Sequence, residues 1–111
     1  MDIETKKSLI QTLGFDGKVF VLGPDEWLLQ VTDVFEDADP RVTYHFLFIN
    51  QNDSSQERRL RVTVSYQYLS TEVKDQYGCP KRLRERMFGW LSDKQATNSI
   101  NFDQEIFQNE F

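Results

Sequence analysis

The ten residues from Arg41 to Asn50 constrain the fold most. Val42, Tyr44, Phe46 and Phe48 alternate with Thr43, His45, Leu47 and Ile49, and both sets hold apolar side chains. β-Branched and aromatic residues at a period of two define a strand. A strand that is apolar on both sides is central and largely covered. The rest of the chain must supply strands to flank it and a layer to cover it.

Three further segments read as strands. Trp27 to Phe35 puts Trp27, Leu29, Val31 and Phe35 on one side and Leu28, Gln30, Thr32 and Val34 on the other. Arg58 to Leu69 alternates more cleanly. Leu60, Val62, Val64, Tyr66 and Tyr68 make a dry face, and Arg59, Arg61, Thr63, Ser65 and Gln67 a wet one. Lys18 to Leu22 is a short strand between the turns Asp16–Gly17 and Gly23–Pro24–Asp25. Polar loops, Glu36 to Pro40 and Gln51 to Glu57, separate the longer strands. Consecutive strands of this kind predict an antiparallel meander of three or four strands.

Helices supply the cover. Asp2 to Leu13 brings Ile3, Leu9, Ile10 and Leu13 to one face, with Asp2 placed to cap it and Gly14 to end it. Ser70 to Gly78 fits a helical turn or a loop. Pro80 then opens a second helix reaching about Ser92, whose apolar stripe is Leu83, Met87, Trp90 and Leu91. The expected class is α+β: an N-terminal helix, the meander, a C-terminal helix packed on one sheet face, and an acidic-aromatic tail. Residues 1–92 form one domain. Residues 93–111 follow as a polar linker, Asp93 to Asn101, and a segment that docks on the core or extends as an arm. At helical spacing Phe102, Ile106 and Phe107 share a face, and Phe111 stands beyond them.

Composition agrees with one core. The chain has 111 residues, enough for a domain that folds without staples. Hydrophobic residues make up only 39%, but nine Phe, four Tyr and two Trp enlarge the average buried side chain. Cys79 is the only cysteine, so no intramolecular disulfide forms, and a reducing cytoplasm, of a cell or an infected host, is the expected setting. No apolar run approaches the ~18 residues of a membrane span.

The charge is uneven. The net is −5, which argues against nucleic acid as a partner. Residues 58–86 carry eight basic and three acidic side chains, a local +5 that leaves −10 for the remainder. Asp25, Glu26, Asp33, Glu36, Asp37 and Asp39 form the most acidic part. Either the two regions neutralise each other in the fold, or the molecule is polarised toward a charged partner.

Little in the sequence points to chemistry. P-loops, nucleophile elbows, dinucleotide turns and zinc sets are missing from the pattern, so no cofactor or metal is assigned. Gly14-Phe15-Asp16-Gly17 reads as a helix stop and a turn. The single His45 reads as a structural histidine on a partly buried sheet. Cys79, next to a helix start and to Lys81 and Arg82, is placed where a thiolate would be favoured, but a single cysteine is usually inert and buried. Glu36, Asp37 and Asp39 read as a solvated turn.

The pattern is broadly similar to that of small chaperones, toxin-immunity proteins and phage-encoded inhibitors. The expected function is a small non-enzymatic protein-binding module of inhibitor, immunity or adaptor type, with a homodimer as a further option. Its interaction candidates are Trp90, Phe102, Ile106, Phe107 and Phe111. One alternative is a nucleic-acid-binding protein using the basic stretch, with Arg59, Arg61, Arg82, Arg84 and Arg86 as the patch. The other is a small enzyme using Cys79.

Overall fold

The computed structural model describes residues 2–14, 16–36, 41–76, 78–97 and 106–110, with 94–97 and 106–110 as backbone only. Helix α1 spans Ile3–Leu13. Asp2 caps it by accepting from the Thr5 amide at 2.7 Å, and Gly14 ends it in the left-handed conformation at φ 79°. Leu9 and Leu13 face inward, whereas Ile3, on the first turn, is 69% exposed.

Strands β1 (Val19–Leu22), β2 (Asp25–Glu36), β3 (Arg41–Asn50) and β4 (Glu57–Ser65) follow. They form the expected antiparallel meander, in spatial order β1-β2-β3-β4. The α+β class and the central place of β3 both hold. Asn50 anchors the β3–β4 connection although it is 1% exposed. Its amide nitrogen donates to Asp25 and Gln56, each at 3.2 Å, and its side-chain oxygen accepts from the Asn52 and Asp53 amides. A buried amide needs such partners on both ends.

One irregularity resets β2. Val31 pairs with Phe46 and Asp33 with His45, so Thr32 is an extra residue and forms a β-bulge. The alternation predicted for the whole strand holds only up to it. Trp27 and Leu29 are buried as expected, but beyond the bulge Val34 is the buried residue and Phe35 turns to the other side. The Asp33 carboxylate closes the bulge by accepting from the Val34 amide at 2.8 Å.

β4 ends at Ser65, earlier than its sequence pattern suggests. The Ser65 hydroxyl accepts from the Tyr68 amide at 3.0 Å and starts the short helix α2, Tyr66–Thr71. Tyr66 and Tyr68 therefore lie on a helix, packed at the edge of the core, and not on a strand face. Helix α3 spans Lys81–Thr97 and so takes in the first five residues of the expected linker. Lys94, Gln95 and Ala96 are good helix formers and carry it past Ser92. Residues 98–105 and 111 lie outside the described residues. Ile106–Glu110 forms strand β5, parallel to β4, in place of the helix its apolar spacing suggests.

All three helices feed the same core. Leu9 and Leu13 from α1, Leu69 from α2, and Leu83, Met87, Trp90 and Leu91 from α3 join Phe20, Trp27, Leu29, Val34, Tyr44, Phe46, Phe48, Leu60, Val62 and Val64 of the sheet. The Tyr44 hydroxyl donates to the Leu9 carbonyl at 3.2 Å. Phe88 sets its ring edge-on to Phe20 and Phe48, at 4.8 and 6.1 Å between centroids. The result is two layers, helices on one face of the sheet.

Candidate functional site

The opposite face of the sheet carries no described helix, and it gathers the most suggestive side chains. Register builds it in rows. Val19 faces Leu28, Leu28 faces Ile49, and Ile49 faces Glu57. The next row is Gln30, Leu47 and Arg59; the third is Asp33, His45 and Arg61. Val19 and Val21 on the edge strand β1 are 45% and 68% exposed. Leu28, Leu47 and Ile49 are half-buried. At the far end Thr43 and Thr63 are buried and share a hydrogen bond of 2.8 Å between their hydroxyls. The face is thus an apolar strip beside two arginines, in contact with solvent at the β1 side.

Arg59 and Arg61 stand two residues apart on β4 and so point the same way. With Thr32 and His45 they line a depression of about 70 Å³. Arg59 approaches Glu57 at 3.9 Å, the outer limit of an ion pair. Among the described residues, Arg61 has no ion pair and its Nε no hydrogen-bond partner. The His45 ring meets Phe35 edge-on, 5.1 Å between centroids. Burial and the nearby Arg61 charge hold His45 below the usual imidazole range, with Asp33 pulling weakly the other way. A positive charge on His45 is therefore disfavoured. Asp33 is itself engaged by Lys6 of α1 at 2.7 Å, and this partner holds its carboxyl below the ordinary carboxylate range.

The five arginines named as a basic patch do not lie together. Arg59 and Arg61 lie on the open sheet face, whereas Arg82, Arg84 and Arg86 belong to α3 in the helix layer. Arg82 pairs with Glu72 at 2.8 Å and sits over the Tyr68 ring. Arg84 pairs with Asp75 and is stacked over Phe20 and Phe88. Trp90, an interaction candidate on sequence grounds, is 8% exposed and packs against Phe48 in the core. Of the tail candidates, Phe102 and Phe111 lie outside the described residues, and Ile106 and Phe107 are described only as backbone of β5.

Cys79 lies in the core, as single cysteines usually do. Its position before α3 suggested a stabilised thiolate, but the side chain is fully buried. Burial, with Asp75 adding to it, pushes the thiol well above its ordinary range. Its Sγ lies 3.5 Å from the Pro80 carbonyl. His45 is on the other face of the sheet, so the two residues do not form a nucleophilic pair. Of the acidic turn, Asp37 and Asp39 lie outside the described residues. No group of three His, Cys, Asp or Glu able to hold a metal ion occurs among the described residues.

Sequence reasoning named Arg59 and Arg61 but missed Phe35, Val19 and Val21 as residues of the same sheet face. Phe35 was hidden by the bulge, which reverses its side. Val19 and Val21 had a signal, the alternation of a short edge strand outside the strongest pattern. No described helix is long and apolar enough to cross a membrane. No known family model, curated protein or solved structure matches the chain.

Proposed function

We propose that this protein is a small non-enzymatic protein-binding module that engages its partner through the open face of its sheet. Inhibitor, immunity and adaptor roles all fit such a module. The observation that supports the reading is that, among the described residues, helices cover one face of the sheet only, which leaves Val19 exposed in register with Leu28 and Ile49, and Val21 exposed two residues further along β1. Contiguous apolar surface of this kind marks interaction sites more often than idle surface. The test is a photo-cross-linking residue placed at Val21 and, as control, at Lys7 on the exposed side of α1. A discrete adduct in the source cell from position 21, absent from position 7 and lost in Ile49→Lys, is expected. Equal adducts from both positions, or none from position 21, would overturn the reading.

A second reading, single-stranded nucleic-acid binding, gains one observation. The bulge puts Phe35 on the same face as Arg59, Arg61 and His45, so the basic face does carry an aromatic ring. The net charge of −5 opposes it. Salt-sensitive retention on single-stranded DNA, reduced in Arg59→Gln, would be its signature.

A further inference from the structure

Two guanidinium groups on one side of a strand repel each other unless an anion lies near both. On β4, Arg59 has only Glu57 at 3.9 Å, and Arg61 has no ion pair among the described residues. Among the residues whose side chains are described, Asp33 of β2 is engaged by Lys6 of α1, and burial and Arg61 disfavour a charge on His45 of β3. Strand β5 flanks β4, with Ile106 and Gln108 in register with Arg59 and Arg61. The depression between Thr32, His45, Arg59 and Arg61 is about 70 Å³, room for a few waters or one carboxylate group. Beside it run Leu47, Ile49 and Leu28.

We infer that Arg59 and Arg61 accept an Asp or Glu side chain of an apolar, acidic surface on a partner protein. The inference rests on the reading of this face as a protein-binding surface and names what the partner presents there. A carboxylate matches the fork geometry of arginine and gains most where water is excluded by the apolar strip around it. A polyanion does not match a chain whose remaining surface is strongly acidic.

The full-length protein serves for the test, with N-acetylglutamate methylamide as probe and the neutral N-acetylglutamine methylamide as control. NMR follows the Arg59 and Arg61 Nε–H signals and the ring of His45, the only histidine in the chain. The acidic probe is expected to give saturable shifts at both arginines. It also raises the His45 titration midpoint by about one unit, because a negative charge then faces the ring that Arg61 disfavours as a cation. Arg61→Gln weakens the probe at least about tenfold. Arg59→Gln gives the same readout should Arg61→Gln fail to fold. Shifts of equal size from the neutral probe, no saturation, or tighter binding of a single-stranded oligonucleotide would each overturn the inference. The two proposals fail separately. If the Val21 adduct survives in Arg61→Gln, the face binds protein without this anchor. If the carboxylate binds while position 21 gives no adduct, the anion site stands and the protein-binding reading falls.

Discussion

Arg84 on α3 places its guanidinium Nε 3.2 Å from a carboxylate oxygen of Asp75. The same guanidinium lies over the rings of Phe20 and Phe88, at 5.3 and 5.1 Å from their centroids. Asp75 in turn accepts from the Cys79 amide at 3.1 Å. One side chain thus ties the loop before α3 to the β1 edge of the core. Arg84→Ala removes an ion pair and a packed stem together. It is expected to lower unfolding stability by about 2 kcal/mol, read as a lower urea midpoint at unchanged slope. A loss below about 0.5 kcal/mol, the scale of an ordinary surface change, would show the contact to be incidental.

Two glycines test opposite effects of one substitution. At Gly14 a Cβ would stand 3.0 Å from the Gly78 carbonyl oxygen, and the backbone has φ +79°. Gly14→Ala therefore meets both strain and a backbone contact, and should cost about 1–3 kcal/mol. Gly89 lies within α3 with nothing within 4 Å of the added carbon. Gly89→Ala should stabilise by roughly 0.5–1 kcal/mol through helix propensity. Thermal unfolding of the two variants reads both signs.

Alkaline pH should weaken the fold. Burial raises the Cys79 thiol above its ordinary 9.0 and the Tyr44 hydroxyl above 10.0, and it pushes Tyr68 up to about 12. Such groups hold their protons more tightly folded than unfolded. Their contribution is complete below the ordinary values and declines as pH rises through them toward the folded ones. Stability should be level near neutrality and fall from about pH 9, by on the order of 2 kcal/mol at about pH 11 from Cys79 alone. Cys79→Ala should delay the onset toward the tyrosine range. Urea titrations across pH check this, and an unchanged onset in Cys79→Ala would remove the thiol from the account.

The bulge makes a prediction by deletion. Removing Thr32 deletes the extra residue, so Val31 stays opposite Phe46, Asp33 opposite His45 and Val34 on the buried face. No side chain changes face, so the cost should be small, about 1 kcal/mol. The deletion should keep the native near-UV circular dichroism, and its loss would show that the bulge itself is needed to shape the strand. Thr32→Val, which keeps the extra residue and loses only its hydroxyl bond to the His45 carbonyl at 3.2 Å, should stay folded.

Much of this was legible in the chain itself. Alternation in Arg41–Asn50 established a central strand, Asp2 and Gly14 delimited α1, and Leu83, Met87, Trp90 and Leu91 marked the buried side of α3. Periodicity reads such elements because each depends on its own residues. The end of β4 was not legible, since Ser65 acts as a helix cap only where the chain turns off the sheet. Nor was the side of Phe35, because a single extra residue at Thr32 is silent in composition.

The local sequence determined the element types and the α+β class, through hydrophobic period, caps and turns that act over a few residues. Tertiary structure decided the partners. It put Trp90 and Cys79 in the core, divided the basic stretch between two layers, and left Arg59 and Arg61 side by side on an open face. Those outcomes depend on strand register and on which face the helices cover. Both are set by packing between segments distant in the chain, which no local pattern contains.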